Sequence, residues 1–164
     1  MKLQRFLLLA MLLSVVSLDV LSQSPVCSYK YRKRFTFNPA LVSGSTDLLN
    51  FPVLINISSD ADLRTVANSG HVENANGYDI YFTADDGVTR LEYQLQKYTA
   101  STGELITWVN VPTLSTTYST TIYMYYGNTS ITSDQSQTST WNSNFKGVWH
   151  LDNNDFSDDS QTGS

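Results

Sequence analysis

From Thr121 to Tyr126 the chain reads TIYMYY, a run in which every residue is β-branched, aromatic or methionine. Such side chains pack well on a pleated surface and crowd the preceding turn of a helix. Gly127-Asn128 closes the run, and a Ser/Thr-rich connection from Ser115 leads back to a second apolar segment, WVNVPTL, from Trp108 to Leu114. Two antiparallel strands account for this stretch, and the rest of the chain repeats the pattern.

Tyr29, Tyr31, Phe35 and Phe37 alternate with Lys30, Arg32, Arg34 and Thr36, which predicts a half-buried strand with one charged face. Lys30, Arg32, Lys33 and Arg34 are either a patch for an anionic ligand or the Lys/Arg guard of an exposed strand. Phe51, Val53, Ile55 and Ile57 alternate in the same way after the turn at Ser43–Asp47. Asp60–Asn68 has the composition of one short helix capped by Ser59 or Asp60. Asn74–Gly77 reads as a turn, Asp79–Ala84 as a third strand with Ile80 and Phe82 inward, and Asp85-Asp86-Gly87 as a tight hairpin. Arg90–Tyr98 and Glu104–Val111 complete the series, with Pro112 expected to end the last ladder.

About six strands, short turns and at most one short helix predict an all-β chain, an antiparallel β-sandwich of jelly-roll type. Strand positions assign Phe35, Phe37, Val53, Ile55, Phe82, Trp108, Val109 and Ile122 to its core.

The first 22 residues read as a signal peptide: Lys2 and Arg5, an apolar run from Phe6 to Val16, and small residues before a cut at Gln23. The apolar run is too short to span a bilayer core of about 30 Å, so no membrane span is expected after its removal. Taking Lys2, Arg5 and Asp19 from 10 basic and 15 acidic residues leaves 8 and 14, a net charge of −6. An acidic chain is poorly suited to nucleic acid, which is held by neutralising phosphates. The expected location is secreted or cell surface. Cys27 is the single cysteine, too far from the apolar run for lipidation, and either a free thiol or the partner of a cysteine elsewhere.

From Thr129 to Asn144, 9 of 16 residues are Ser or Thr, which predicts a linker or a loosely attached strap after a domain over 23–128. Apolar character returns at FKGVWHL, Phe145–Leu151, and the acidic residues after it offer that segment no partner strand. Residues 145–164 are therefore expected to be the truncated start of a second module.

The series YKYRKRFTF, FPVLINI, GYDIYFTADDGVTRLEYQLQKY, GELITWVNVPTL and TIYMYYGN resembles a family of secreted bacterial and archaeal β domains of unknown function. The resemblance covers about Tyr29–Asn128. In that family the domain commonly precedes a laminin G-like, concanavalin A-like lectin module, and GVWHLDNNDFSDDS looks like the opening strand of such a module. The family also occurs in surface proteins with adhesive or polysaccharide-handling modules and in some relatives of proton-channel components. It implies an architecture and no catalytic motif.

The carboxylates Asp79, Asp85, Asp86 and Glu92 are candidates for a glycosidase pair, but Asp85-Asp86 sits where Asp is favoured for turn geometry alone. Asp152, Asp155, Asp158 and Asp159 lack the glycine and terminal glutamate of a calcium loop, so no metal and no cofactor are expected. His71 and His150 read as surface or packing residues. Asn56-Ile57-Ser58 and Asn128-Thr129-Ser130 are sequons that matter only in a eukaryotic secretory pathway.

Aromatic side chains remain. Tyr123 and Tyr125 share one strand face, Ile122, Met124 and Tyr126 the other, and with Trp108 the tyrosines offer a platform for sugar rings. Trp108, Tyr123 and Tyr125 are the candidate ligand-binding residues. The leading expectation is a non-catalytic extracellular module of a multidomain protein that binds carbohydrate or mediates adhesion, with a glycan and the downstream lectin-like module as partners. The alternatives are a structural spacer and an accessory domain of a secreted glycan-degrading enzyme. Exposed aromatics favour binding; buried ones favour the spacer.

Overall fold

The structure, a computed structural model, describes residues 25–150. The expected signal peptide, and everything expected of residues 151–164, lie outside the described residues.

Six strands run in chain order: β1 (Tyr31–Phe37), β2 (Leu48–Ile57), β3 (Tyr81–Ala84), β4 (Tyr93–Thr99), β5 (Glu104–Leu114) and β6 (Thr120–Tyr126). They form two three-stranded sheets, ordered β1-β6-β3 and β2-β5-β4, with every pair antiparallel. Only β4 and β5 are consecutive in one sheet. Each other connection crosses to the opposite layer, which is the winding of a jelly roll. The chain is therefore an all-β antiparallel sandwich, as its alternating patterns predict. The remaining helical turns are short 3₁₀ segments.

Strand parity builds the core. Ile122, Met124 and Tyr126 of β6 face inward beside Phe82 of β3, and Leu105, Thr107, Val109 and Val111 of β5 face them from the other sheet. Leu63, Ile80 and Leu91 fill the ends of the layer. Burying each such side chain is worth about 1.5–3 kcal/mol. Of the expected core, Ile55, Phe82, Val109 and Ile122 are buried, and Phe35, Phe37 and Val53 pack partly buried at its border.

Trp108 is a correction. Inward positions on β5 are odd-numbered, so Trp108 shares the outer face with Ile106 and Asn110. Its strand position suggested the core; the parity of the strand excludes it. Pro112 does not end β5 either. The ladder with β2 continues through Thr113 and Leu114, opposite Leu49 and Leu48, while the ladder with β4 has already stopped at Tyr93–Val109. A missing N–H is tolerated there because β5 has a neighbour on one side only.

The expected helix over Asp60–Asn68 is absent. Asp60 Oδ1 accepts the Asp62 amide at 2.9 Å, the local bond by which Asp competes with a helix. The chain then turns through Ser69, at φ 64°, and Val72 bonds back to Arg64. Only Val66–Asn68 is 3₁₀. The Asp85-Asp86-Gly87 turn closes as expected, yet after one bridge, Thr83–Arg90, the chain leaves for the other sheet.

Residues 129–150, expected as a linker or a loosely attached strap followed by the start of a second module, lie across the sandwich as a strap. Gln137 donates to the Tyr93 carbonyl at 2.9 Å, and Ser136 Oγ accepts the Leu95 amide at 2.9 Å, so the strap occupies the free edge of β4. It then crosses the outer face of the β2-β5-β4 sheet, where Trp141 is 3% exposed. Residues 145–150 form no strand. A polar segment orders here because one tryptophan and a sheet edge anchor it.

Candidate functional site

The carboxylates that might have formed a catalytic pair are spent on backbone. Asp79 is fully buried and accepts four amides: Glu73 and Asn74 at 2.9 Å, Gly127 at 3.0 Å and Asn128 at 3.3 Å. Asp86 accepts the amides of Val88 and Thr89, and the Thr89 hydroxyl foremost holds its carboxyl below the usual range. Glu92 accepts from Ser139 at 3.1 Å. These groups have separate partners on separate elements.

The three expected ligand-binding residues do not meet. Tyr123 and Tyr125 lie on the outer face of the β1-β6-β3 sheet, whereas Trp108 lies on the outer face of the other sheet. Trp108 donates from its indole nitrogen to Gln96 at 3.0 Å and packs against Trp141 with 5.1 Å between centroids. Trp141 in turn donates to Gln94 at 2.6 Å and meets Phe145 and His150 on its far side. Tyr125 is 8% exposed, in the row Arg32–Tyr125–Tyr81, with the Gly87 turn over its hydroxyl. Tyr126 is a core residue stacked on Tyr31. Of the three expected residues, Tyr125 is buried while Trp108 and Tyr123 stay half-buried, Tyr123 with the Arg32 guanidinium 4.6 Å above its ring.

Where the strap lifts from the sheet, a groove of about 410 Å³ opens. Asn110 supplies it from the outer face of β5, Asn50 from β2, Arg90 and Glu92 from the approach to β4, and Ser139 and Asn142 from the strap. Asn110 donates to the Thr140 carbonyl at 3.0 Å and Asn142 to the Asn50 carbonyl at 2.9 Å, so the strap is fixed to the sheet at both ends of the groove. Arg90 donates to the Gln135 carbonyl at 2.8 Å, and its buried Nε has no acceptor among the described residues closer than Glu92 Oε1 at 3.9 Å. Leu91 and Pro112 form the apolar floor and continue into a neighbouring cavity of about 290 Å³ between the sheets. Fixed amides, a carboxylate, a guanidinium and a hydroxyl over a small apolar floor suit a ligand dense in hydroxyl groups.

The sequence did not reveal this groove because its strap wall read as a linker or a loosely attached strap, with nothing to say where it lands. One signal was available: a lone tryptophan, Trp141, inside a Ser/Thr run.

At the other end of the sandwich Lys33 pairs with Asp60 and Asp62, both at 2.9 Å, and His71 stacks on Tyr31 at 4.1 Å. Hydrogen bonding from Lys33, with its charge, holds the Asp62 carboxyl below its usual range. Tyr98 donates to the Leu63 carbonyl at 2.6 Å, and burial pushes its phenol up. Among the described residues no three His, Cys, Asp or Glu side chains are grouped to hold a metal ion, Cys27 is exposed without a disulfide, and no helix is long and apolar enough to cross a membrane.

No curated protein and no solved structure matches this chain. One family model does, that of a domain of unknown function, DUF2341, over residues 76–163. The match takes in Asp79, both central strands, Arg90 and Glu92, and runs on through the strap without a break at residue 128. More than half of the sequence lies within it, and the chain belongs to the DUF2341 family of domains of unknown function.

Proposed function

We propose that this domain is a non-catalytic binding module of a secreted or surface multidomain protein, and that its ligand is a carbohydrate held in the groove beneath the strap. The observation that carries the reading is the groove itself: Asn50, Arg90, Glu92, Asn110, Ser139 and Asn142 around about 410 Å³, within the size range of small-ligand sites. Planar amides and carboxylates bind vicinal hydroxyls in pairs, and the two asparagines are immobilised by their bonds across the strap. The non-catalytic part is supported by the engagement of Asp79, Asp86 and Glu92 with backbone and serine partners. Export is supported by the charged start and apolar run before Gln23. In a multidomain protein a weak site gains from its neighbours by effective concentration.

The spacer reading has one observation in its favour: Trp108 and Tyr125, expected as stacking surfaces, are covered by Trp141 and by the Gly87 turn. A glycan array probed with the full chain and with Asn110→Ala separates the two. Binding to neutral glycans that Asn110→Ala abolishes supports the groove. Absence of any glycan signal leaves the spacer as the reading, and cleavage of a glycosidic bond overturns both.

A further inference from the structure

Half of the eight basic side chains among the described residues stand within 4 Å of a carboxylate. Lys30 pairs with Glu73 at 2.9 Å, Lys33 with Asp60 and Asp62, and Lys97 with Glu104 at 3.0 Å. Arg32 and Arg34, like Lys146, are exposed and have no carboxylate partner among the described residues. They stand two residues apart on the outer face of β1, about 6.6 Å along the strand. Arg34 is directly opposite Tyr123 on β6, and Arg32 is opposite Tyr125 and lies over the Tyr123 ring. Thr36 and Thr121 extend the same face with two hydroxyls.

Guarding the edge of β1 does not account for this arrangement. The guard needs charge near the strand's free backbone, which Lys30 and Lys33 also supply, whereas Arg32 is folded inward across the sheet onto an aromatic ring. The Arg32 guanidinium lies over Tyr123 and also hydrogen-bonds the Tyr125 side chain, which fixes its position, and as an exposed five-donor group it keeps further N–H groups for an anionic partner. We propose that this face binds an acidic polysaccharide: carboxylates of successive uronate residues meet Arg32 and Arg34, a sugar ring lies on the half-open Tyr123, and the threonine hydroxyls take sugar hydroxyls. The carbohydrate class, rather than an acidic peptide, follows from the ring and hydroxyls beside the charges. This site lies on the opposite sheet from the groove and does not depend on it.

The test is isothermal titration of the full chain with a polygalacturonate oligosaccharide, beside neutral dextran, poly-glutamate and anionic lipid vesicles. Expected is binding to polygalacturonate that weakens steeply with salt and that Arg32→Gln/Arg34→Gln reduces at least about tenfold, since two charge-assisted contacts are lost. Tyr123→Ala should weaken binding without changing its salt dependence. Glu92→Gln and Asn110→Ala, which alter the groove, should leave it unchanged, so failure here is distinguishable from failure of the groove. Unaltered thermal midpoints in the arginine variants exclude loss of fold as the cause. Equal binding of dextran, tighter binding of poly-glutamate or of vesicles, or an arginine double variant that binds polygalacturonate as well as the wild type overturns the proposal.

Discussion

The buried carboxylate of Asp79 accepts the backbone amide of Gly127 at 3.0 Å, joining a residue two positions before β3 to the residue after β6, 48 positions later. The same oxygen takes Asn128, and the two oxygens together take Glu73 and Asn74. One side chain thus closes the turn before β3 and sets where the strap departs. A carboxylate is suited to this, being an acceptor with no proton to misplace.

Asp79→Ala should destabilise the fold by about 3 kcal/mol, because four buried amides lose their acceptor at once. Asp79→Asn should be destabilising too, since its NH₂ would face amide donors. Urea midpoints of both variants check this; a loss under about 1 kcal/mol in either would show that water replaces the carboxylate readily.

Trp141→Ala should release the strap and leave the sandwich folded. Amide exchange should accelerate over 129–150 and Trp108 fluorescence should shift to the red, with a local opening cost of about 2–4 kcal/mol. By contrast Leu105→Ala, in the core, should lower the global midpoint by about 2–5 kcal/mol. Loss of all exchange protection in Trp141→Ala would mean that strap and sandwich fold as one unit.

How far the sequence reaches is clear from β5 and its neighbours. The β-forming pattern along ELITWVNV is a local property, and it yields the strand and, with its neighbours, the sandwich. Placing both Trp108 and Val109 in the core failed because neighbours on a strand point to opposite faces, and only the odd-numbered face of this stretch is inward. The helix over Asp60–Asn68 failed because propensity was read without the Asp60 side chain, which bonds to Asp62 and favours a turn. The candidate platform of Trp108, Tyr123 and Tyr125 failed for a different reason: which sheet a strand joins is a long-range outcome, and β5 and β6 lie in opposite layers. The groove depends on the strap returning over β4, and nothing in a Ser/Thr run states where it will land.

Gly103→Ala should cost more than about 1 kcal/mol. Gly103 sits at φ 69°, and a Cβ there would lie 2.0 Å from the Asp60 carbonyl oxygen, so both backbone strain and a clash oppose it. A thermal midpoint equal to the wild type would show that the 60–64 loop yields without loss.

Stability should fall at both ends of the pH scale. Asp62, Asp86 and Glu104 are held below their ordinary values, chiefly by Lys33, the Thr89 hydroxyl and Lys97. A depressed carboxyl contributes stability above its unfolded value, and that contribution is lost as pH falls through the folded value, so urea midpoints should drop below about pH 4. These groups are exposed, and salt should flatten the drop. Tyr93 and Tyr98 are shifted the other way by burial, so their contribution is complete below about pH 10 and is lost above it. Midpoints that stay level from pH 3 to pH 11 would contradict both assignments.

The central claim is that the groove beneath the strap takes a neutral glycan, and backbone amide shifts of the full chain during titration with neutral oligosaccharides test it most directly. The account predicts saturable shifts centred on Asn50, Arg90, Glu92, Asn110 and Asn142, abolished in Asn110→Ala while the sandwich amides stay in place. Shifts that avoid these residues, or none at any glycan concentration reached, would contradict it.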